Sequence, residues 1–307
     1  MSSKRNPTSK SSRIRVGLTI GDPSGIGPII TKNAVKFLKG IADFVIIGDP
    51  CGIDRGVFPP GKINPASGLA SLSYIDEGIN LIKKKEIDCL VTCPVSKEAI
   101  NLGGVKFSGH TEYLAQAFGV KDYVMMLLNS ELRFSLITRH IPLNRVAGSI
   151  TKRDIYRTTQ ITCAYLKTIF SIKRPRIVFC GVNPHASDNG VIGKEEETLF
   201  KPVINKLRRN LSARFDGPLS ADIAILKAYR KEYDCVMAAY HDQALIPLKL
   251  GGKDSGVNIT LGLPFVRTSP LHGTAFDIVL KPQLARPDSL IAAIKLAVKC
   301  TSSQKKA

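Results

Sequence analysis

The sequence predicts an α/β fold built around a mostly parallel sheet. Short apolar runs, typical of buried strands, alternate along the chain with longer segments of helical periodicity. Turns rich in glycine and proline separate them, beginning with the turn 21–28 after the first strand. This alternation indicates successive βαβ units, whose strands pair in parallel and whose helices cover the sheet.

The same pattern locates the individual elements. Strands are predicted over 13–20, 43–48, 88–92, 123–128, 132–138, 175–182 and 234–240, and helices over 29–38, 69–85, 152–170, 194–208 and 289–299. The sequence shows no internal repeat and no proline- or serine-rich linker. If the 307 residues form two domains, the chain therefore crosses between them more than once and leaves a cleft.

Composition limits the class of protein. The chain has 44% hydrophobic and 22% charged residues, as ordinary globular proteins do, and no apolar stretch reaches the length of a membrane span. The start, 1–13, lacks the apolar core of a secretory signal and is predicted to be a disordered basic tail. Seven scattered cysteines without a disulfide framework fit a reducing compartment, so a cytoplasmic location is expected.

The net charge of +19 suggests anionic partners. A basic protein that binds nucleic acid is one alternative. However, the basic residues are spread along the chain, and no recognised nucleic-acid-binding motif accompanies them. The charge therefore favours a site for small molecules that carry a phosphate or a carboxylate.

Three of the five histidines each follow a predicted strand. They are His140, His185 and His241. In a parallel sheet the carboxyl ends of the strands face one crevice, so the three imidazoles could meet at one point. Three histidines with an open fourth position are typical of a catalytic metal site, although any one of them alone is more often structural. The pattern predicts a metal site, and imidazole ligands suit zinc, cobalt, nickel or iron.

Two carboxylates lie close to these histidines in the sequence. Asp242 follows His241 directly, and Asp222 lies at a predicted helix start near Ser220. Either carboxylate could orient a ligating imidazole or hold a substrate amine. Asp222 could equally be a first-turn acid that stabilises its helix.

Two further segments are candidates for anion binding. His110 and Thr111 follow a glycine-rich stretch and open a helix, whose N-terminus can bind an anion. Lys249, Asn258 and Arg267, expected in loops shaped by glycine and proline, could hold a phosphate. Lys249 and Arg267 could also be ordinary surface bases.

Two other patterns carry less chemistry. The turn Gly21–Gly27 follows a strand and opens a helix, but it matches neither a dinucleotide-binding fingerprint nor a P-loop. The sequence therefore does not indicate which residues would contact a cofactor. The run Lys194–Glu197 is predicted to be the charged first turn of a helix.

Taken in order, these motifs resemble the 4-hydroxythreonine-4-phosphate dehydrogenase family of vitamin B6 biosynthesis. The resemblance covers about 15–299 and rests on the segments Gly21–Pro28, Gly109–Ala115, His140–Leu143, Asn183–Ala186, Gly217–Asp222, Tyr240–Gln243, Gly256–Asn258, Gly262–Ser269 and His272–Asp277. It departs from the usual family pattern at Ile29, at Leu271 and in the loop after His185. None of these positions is an assigned ligand.

The resemblance implies two α/β/α domains around a cleft, similar to isocitrate and isopropylmalate dehydrogenases. The first would comprise 14–105 and 255–307, and the second, 106–254, would carry most metal ligands and the contact of a homodimer with a shared active site. The implied metal ligands are His140, His185 and His241. The implied substrate contacts are His110, Thr111, Lys249, Asn258 and Arg267, with Asp222 and Asp242 as catalytic carboxylates nearby.

The implied reaction is an oxidation of 4-phosphooxy-L-threonine that depends on NAD or NADP and on a divalent metal, such as zinc, magnesium or cobalt. The 3-oxo acid formed would lose carbon dioxide to give 3-amino-2-oxopropyl phosphate. Sister reactions stay open, on erythronate or threonate 4-phosphate or on an aromatic cis-dihydrodiol carboxylate.

Overall fold

The computed structural model describes residues 13–52, 58–251 and 255–306. Within these residues ten strands form one sheet in the order β2-β1-β3-β10-β9-β4-β5-β8-β6-β7. The strands are β1 Arg15–Thr19, β2 Asp43–Ile47, β3 Cys89–Thr92, β4 Val124–Leu128, β5 Arg133–Leu136, β6 Arg176–Cys180, β7 Arg214–Leu219, β8 Cys235–Ala238, β9 Val257–Leu261 and β10 Val266–Pro270. Apart from Arg13, the predicted tail lies outside the described residues.

Helices cover both faces of this sheet. They are α1 Gly27–Phe37, α2 Pro65–Lys83, α3 Lys97–Leu102, α4 His110–Ala117, α5 Val146–Ser149, α6 Lys152–Thr168, α7 Lys201–Asn210, α8 Ala221–Tyr229, α9 His241–Gly251 and α10 Asp288–Lys306. None of the helices in the described ranges is long and apolar enough to cross a membrane.

The predicted alternation of strands and helices is confirmed, and most strand pairs are parallel. The antiparallel pairs lie in the centre, where β9 pairs with β10 and with β4, and β4 pairs with β5. Because of these pairs, the strands β1, β2, β3 and β10 point in the opposite direction from β5, β6, β7 and β8. The fold therefore consists of two parallel half-sheets joined by an antiparallel centre.

The two half-sheets contain the same set of hydrogen bonds between an arginine and an aspartate, although the sequence shows no internal repeat. In the first half, Asp88 accepts hydrogen bonds from the backbone N–H of Arg15 (2.8 Å) and from its guanidinium (3.1 Å). In the second half, Asp234 accepts the same two bonds from Arg176, at 2.8 and 2.9 Å. Each aspartate also donates its own N–H back to the arginine carbonyl at 2.8 Å. The first residues of the neighbouring strands are thus tied together in both halves.

The helical cover is continuous on one face of the sheet and interrupted on the other. On the continuous face, α1, α6, α7 and α10 bury a single apolar core that spans both halves. On the opposite face, α2 and α4 cover the first half, and α8 and α9 cover the second, around two separate apolar clusters. The gap between these two clusters leaves a cleft above the central strands.

The prediction that Lys249, Asn258 and Arg267 lie in loops is wrong. Lys249 is in the last turn of α9, Asn258 is on β9 and Arg267 is on β10. The sequence hid these elements because α9 contains Pro247 and because β10 is a buried strand that carries arginine, threonine and serine. Apolar alternation, the usual sign of a strand, is absent from β10, whereas β9, Val257–Leu261, does show it.

The predicted domain division stays a prediction. We propose that the segments 14–105 plus 255–307 and 106–254 correspond to the two half-sheets, which meet where β9 pairs with β4. Leu114 and Ala115 of α4 pack in the same apolar cluster as Leu72 and Ile100, so α4 belongs with the first half by its contacts.

Candidate active site

A cavity of about 170 Å³ occupies the cleft between the two apolar clusters. Segments that follow β3 and β10, the start of α4, and the central strands all contribute to its wall. The polar and charged residues of the wall are Thr92, Lys97, His110, Thr111, Glu112, His140, Asn258, Arg267, Ser269 and His272. Of the predicted site residues, the structure therefore brings together His110, Thr111, His140, Asn258 and Arg267.

Arg267 is a buried cation in this wall. Its side chain is 1% exposed, and its two terminal nitrogens donate to hydroxyl groups, to Thr92 Oγ1 at 2.6 Å and to Thr260 Oγ1 at 3.2 Å. Burial lowers the pKa of this guanidinium to about 10, so it remains charged at neutral pH. Among the described residues no carboxylate lies within ion-pair distance of it. Since a buried charge is costly unless it is matched, this arginine marks a site for an anion.

Other polar atoms of the wall also lack partners within the described chain. The buried unpaired atoms are His110 Nε2, Asn258 Oδ1, Arg267 Nε and His272 Nε2. Buried polar atoms are nearly always hydrogen-bonded in proteins, so four of them around one cavity indicate a polar ligand.

His110 is held uncharged beside this arginine. Burial, together with the positive charges of Arg267 and Lys97, places the pKa of His110 well below its usual 6.5. The next residue, Thr111, is buried, and its hydroxyl lies 3.3 Å from that of Thr260. A neutral imidazole can donate or accept a hydrogen bond, so His110 can contact an oxygen of a substrate without adding charge.

Two of the three predicted metal ligands meet. His140 and His241 follow the adjacent parallel strands β5 and β8, and their ring centroids are 5.4 Å apart. Asp242 Oδ1 lies 2.7 Å from His241 Nδ1 and orients that imidazole, as expected of a carboxylate behind a metal ligand. Two imidazoles so placed fit a divalent metal of the zinc or cobalt type.

His185 does not join them within one chain. It follows β6, which is the next strand after β8, but its side chain is exposed on the surface. Throughout the described ranges no group of three or more histidine, cysteine, aspartate or glutamate residues is placed to hold a metal ion. A single chain therefore assembles two of the three imidazoles.

An unusual backbone turn carries His185. Five successive residues, 185–189, have φ between +45° and +70°. This left-handed conformation costs roughly 1–2 kcal/mol for each residue that is not glycine. The surrounding structure must therefore hold the turn in place.

The remaining predicted residues lie outside the cavity. Asp222 is exposed in the first turn of α8, where a helix-stabilising acid was the alternative interpretation. Lys249 is exposed on α9 and lines a neighbouring cavity. Within one chain neither of these side chains faces the wall that Arg267 forms.

Sequence reasoning missed Lys97, Glu112 and His272, which also line the cavity. Glu112 forms an ion pair with Arg139 at 3.5 Å. Lys97 could have been found by the rule that located the histidines, because Pro94–Lys97 follows the carboxyl end of β3. The other two give no signal beyond their place in a recognised motif.

The neighbouring cavity, of about 370 Å³, could hold a nicotinamide cofactor. It shares His272 with the first cavity, and most of its wall is apolar. Two bases, Lys249 and Arg286, also contribute to it. An apolar wall suits aromatic rings and bases suit a pyrophosphate, so these residues could hold part of a dinucleotide.

Comparisons with known proteins show which family the chain belongs to. The family model described as "Pyridoxal phosphate biosynthetic protein PdxA" matches residues 31–297. The chain belongs to this family. A 4-hydroxythreonine-4-phosphate dehydrogenase from Paracoccus denitrificans is 40% identical over 91% of this chain and 95% of its own length. The enzyme of the same name from Sulfurihydrogenibium is 38% identical over 93% and 98%.

Solved structures extend the likeness. A crystal structure of 4-hydroxythreonine-4-phosphate dehydrogenase from Klebsiella pneumoniae has a TM-score of 0.79 and 30% identity, and the match covers 95% of this chain and 99% of that one. A terephthalate 1,2-cis-dihydrodiol dehydrogenase from Burkholderia xenovorans has a TM-score of 0.64 at 28% identity, over 93% and 98%. An isocitrate dehydrogenase from Methylococcus capsulatus, at 16% identity and a TM-score of 0.55, shares the fold and covers 95% of this chain and 87% of its own. The predicted fold class and family are thus confirmed.

Proposed function

We propose that this member of the PdxA family oxidises 4-phosphooxy-L-threonine with NAD or NADP and a divalent metal. The product is the 3-oxo acid, which loses carbon dioxide to give 3-amino-2-oxopropyl phosphate. The observation that carries the proposal is the buried, unmatched Arg267 in a cavity that also contains His140, one of the two adjacent histidines. An anionic group bound by Arg267 and a hydroxyl near the two imidazoles can then belong to one small substrate.

The residues of the cavity have different roles in substrate binding. Arg267 binds the phosphate as a forked donor from within a dry wall, with Asn258 beside it. His110 and Thr111 contact substrate oxygens, and His110 does so as an uncharged imidazole. Lys249, which lies at the neighbouring cavity, remains a predicted substrate contact without support from a single chain.

His140 and His241 would hold the metal, with Asp242 fixing the orientation of His241. A metal held there would supply Lewis acidity toward the substrate hydroxyl and the new carbonyl, and a nicotinamide would supply the hydride acceptor. The chain's own contribution is to hold that hydroxyl between the two imidazoles and the phosphate anchor. This positioning supplies much of the rate enhancement in such a reaction.

We further propose that the enzyme is a homodimer in which a second copy provides His185. A face formed by α8 and α9 leaves apolar side chains uncovered, namely Ile223, Leu226, Tyr229, Ile246 and Leu250. The two helices touch where Tyr229 approaches Gly251. Leu250 is 85% exposed and Ile246 58%. A second copy would bury this face, and the exposed His185 could then reach the paired imidazoles of the other chain.

The cytoplasm is the proposed location. The structure has seven free cysteines, six of them buried in apolar surroundings and none paired. Unpaired cysteines in this number fit a reducing compartment.

An absorbance assay of nicotinamide reduction tests the activity. The metal-free protein is supplied with zinc, magnesium or cobalt, with NAD or NADP, and with either 4-phosphooxy-L-threonine or 4-phosphoerythronate. We expect turnover of the threonine compound that requires the metal. Preference for the erythronate would move the activity to the sister reaction, and the absence of turnover on both phosphorylated acids would refute the proposal.

A further inference from the structure

The carboxylate of Glu196 is buried beneath the turn that carries His185. Glu196 is 0% exposed and begins a π-helical turn, Glu196–Phe200. The prediction that Lys194–Glu197 forms a charged first helical turn is confirmed, but Glu196 within it is buried. Single π-helical turns are rare and frequently occur at functional sites.

The carboxylate binds the backbone just before the turn. Glu196 Oε1 accepts hydrogen bonds from the N–H groups of Val182 (2.7 Å) and Asn183 (2.8 Å). Glu196 Oε2 accepts from Asn183 Nδ2 at 2.9 Å, and Glu195 Oε2 accepts from the same nitrogen at 2.8 Å. Four charge-assisted hydrogen bonds thus fix the two residues from which the strained turn starts.

Two glycines allow this close approach. A Cβ on Gly181 would lie 3.0 Å from Glu196 Oε1 and 3.0 Å from the backbone of Ala186. A Cβ on Gly193 would lie 2.7 Å from Glu195 Oε2 and 2.6 Å from Asn183 Nδ2. The carboxylates therefore pack so closely against the backbone of the turn that neither glycine position has space for a larger side chain.

The same segment is joined to the other histidine loops. Gln243 Nε2 donates to the carbonyl of Gly181 at 2.8 Å, and its Oε1 accepts from the N–H of Ala239 at 2.8 Å. Thr138 donates its hydroxyl to the carbonyl of Ala239 at 2.6 Å. A continuous series of hydrogen bonds thus links the ends of β5, β6 and β8, the strands that precede the three histidines.

We propose that Glu196 is the positioning residue for His185. It holds the left-handed turn so that the exposed imidazole keeps one orientation toward the metal site of a second copy. This role rests on the proposed metal site and does not require Glu196 to touch substrate or metal. Its hydrogen bonds explain why a glutamate can be buried at this position. They do not explain why the buried glutamate binds the backbone next to the turn that carries His185, a predicted metal ligand.

The test compares metal binding by three variants of the full-length, metal-free protein. Glu196→Gln keeps the size of the side chain but turns an amide donor toward Asn183 Nδ2. We expect its dissociation constant for Co²⁺ to rise 10- to 100-fold, and the visible absorption of the bound Co²⁺ to weaken or shift. Glu197→Gln, which changes the next residue of the same turn, is the matched control and should bind like the wild type. His185→Ala sets the size of the effect when the ligand itself is lost.

The outcomes separate the two levels of the proposal. If His185→Ala binds Co²⁺ as tightly as the wild type does, the proposed metal site is wrong, and the positioning role is lost with it. If His185→Ala loses affinity while folded Glu196→Gln does not, Glu196 is merely structural and the inference is overturned. Should Glu196→Gln fail to fold, Gly181→Ala decides, because its methyl group pushes on the same contact and leaves the carboxylate in place. Wild-type affinity in folded Gly181→Ala would then refute the role.

Discussion

The sequence identifies Arg267 as a candidate phosphate ligand but does not show whether its side chain is buried. An arginine in a glycine- and proline-rich segment could be a phosphate ligand or a surface base, and the sequence offers no choice between them. The structure places it on a central strand with two threonine hydroxyls as its hydrogen-bond partners. Burial of the charge, which depends on strands distant in sequence, distinguishes the two alternatives.

Replacing Arg267 with lysine tests this anchor. Arg267→Lys keeps a positive charge but loses the fork that binds a phosphate through two nitrogens, and a buried ammonium loses its proton easily. We expect KM for the phosphorylated substrate to rise about 10- to 100-fold, as when a charge-assisted hydrogen bond is lost. Steady-state kinetics measures this, with Arg230→Lys on the exposed surface as the control. Unchanged KM in Arg267→Lys would place the phosphate elsewhere.

At the scale of elements, apolar periodicity located the strands that precede the three histidines. It did so because those strands are buried on both faces and contain few polar residues, as Cys235–Ala238 illustrates. It failed for α9, which contains Pro247, and for β10, a buried strand that carries arginine, threonine and serine, whereas β9, Val257–Leu261, does alternate between apolar and polar residues although a loop was expected there. No sequence rule predicts the left-handed turn at His185, because none of the residues 185–189 is glycine and the backbone just before the turn is bound by a carboxylate, that of Glu196, which lies later in the sequence.

The aspartate–arginine pairs at the starts of neighbouring strands predict that the stability of the fold depends on pH. Burial alone would raise the pKa of Asp88, but hydrogen bonds from Arg15 and the charge of Lys305 bring it below the usual 3.8. A carboxyl group with a lowered pKa in the folded state stabilises the fold at neutral pH. That contribution is lost as the pH falls from about 4 through the lowered pKa.

Asp88→Asn should therefore reduce the free energy of unfolding by about 1–2 kcal/mol at pH 7. The difference from the wild type should shrink below pH 4. Urea denaturation at pH 7 and pH 3 measures both values. The exposed pair of Lys227 and Glu232 supplies the control, since Glu232→Gln should change stability little at either pH. An equal loss for Asp88→Asn at both pH values would contradict the assignment.

At the scale of the whole molecule, a shared site predicts that two inactive variants can restore activity to each other. His140 and His241 belong to one chain, and His185 would come from the other. A mixed dimer of His140→Ala and His185→Ala then contains one intact site. After unfolding and refolding of an equal mixture, random pairing gives about a quarter of the wild-type activity.

A second mixture provides the control for this experiment. His140→Ala and His241→Ala both damage the pair of imidazoles contributed by one chain, so every site in their mixed dimers lacks a ligand. We expect no recovery of activity from this mixture. Recovery in both mixtures, or in neither, would show that the three histidines are not divided between chains in this way.

The order of strands in the sheet also affects how the chain is made. β9 and β10 lie at the centre of the sheet, between β3 and β4, yet they are the last two strands in sequence. On a ribosome, at 5–20 residues per second, the edge of β3 waits roughly 10 to 35 seconds for its permanent neighbour. During that interval the open edges of β3 and β4 can pair with other chains. The nascent chain is therefore the form in which these strand edges are open to association with other chains.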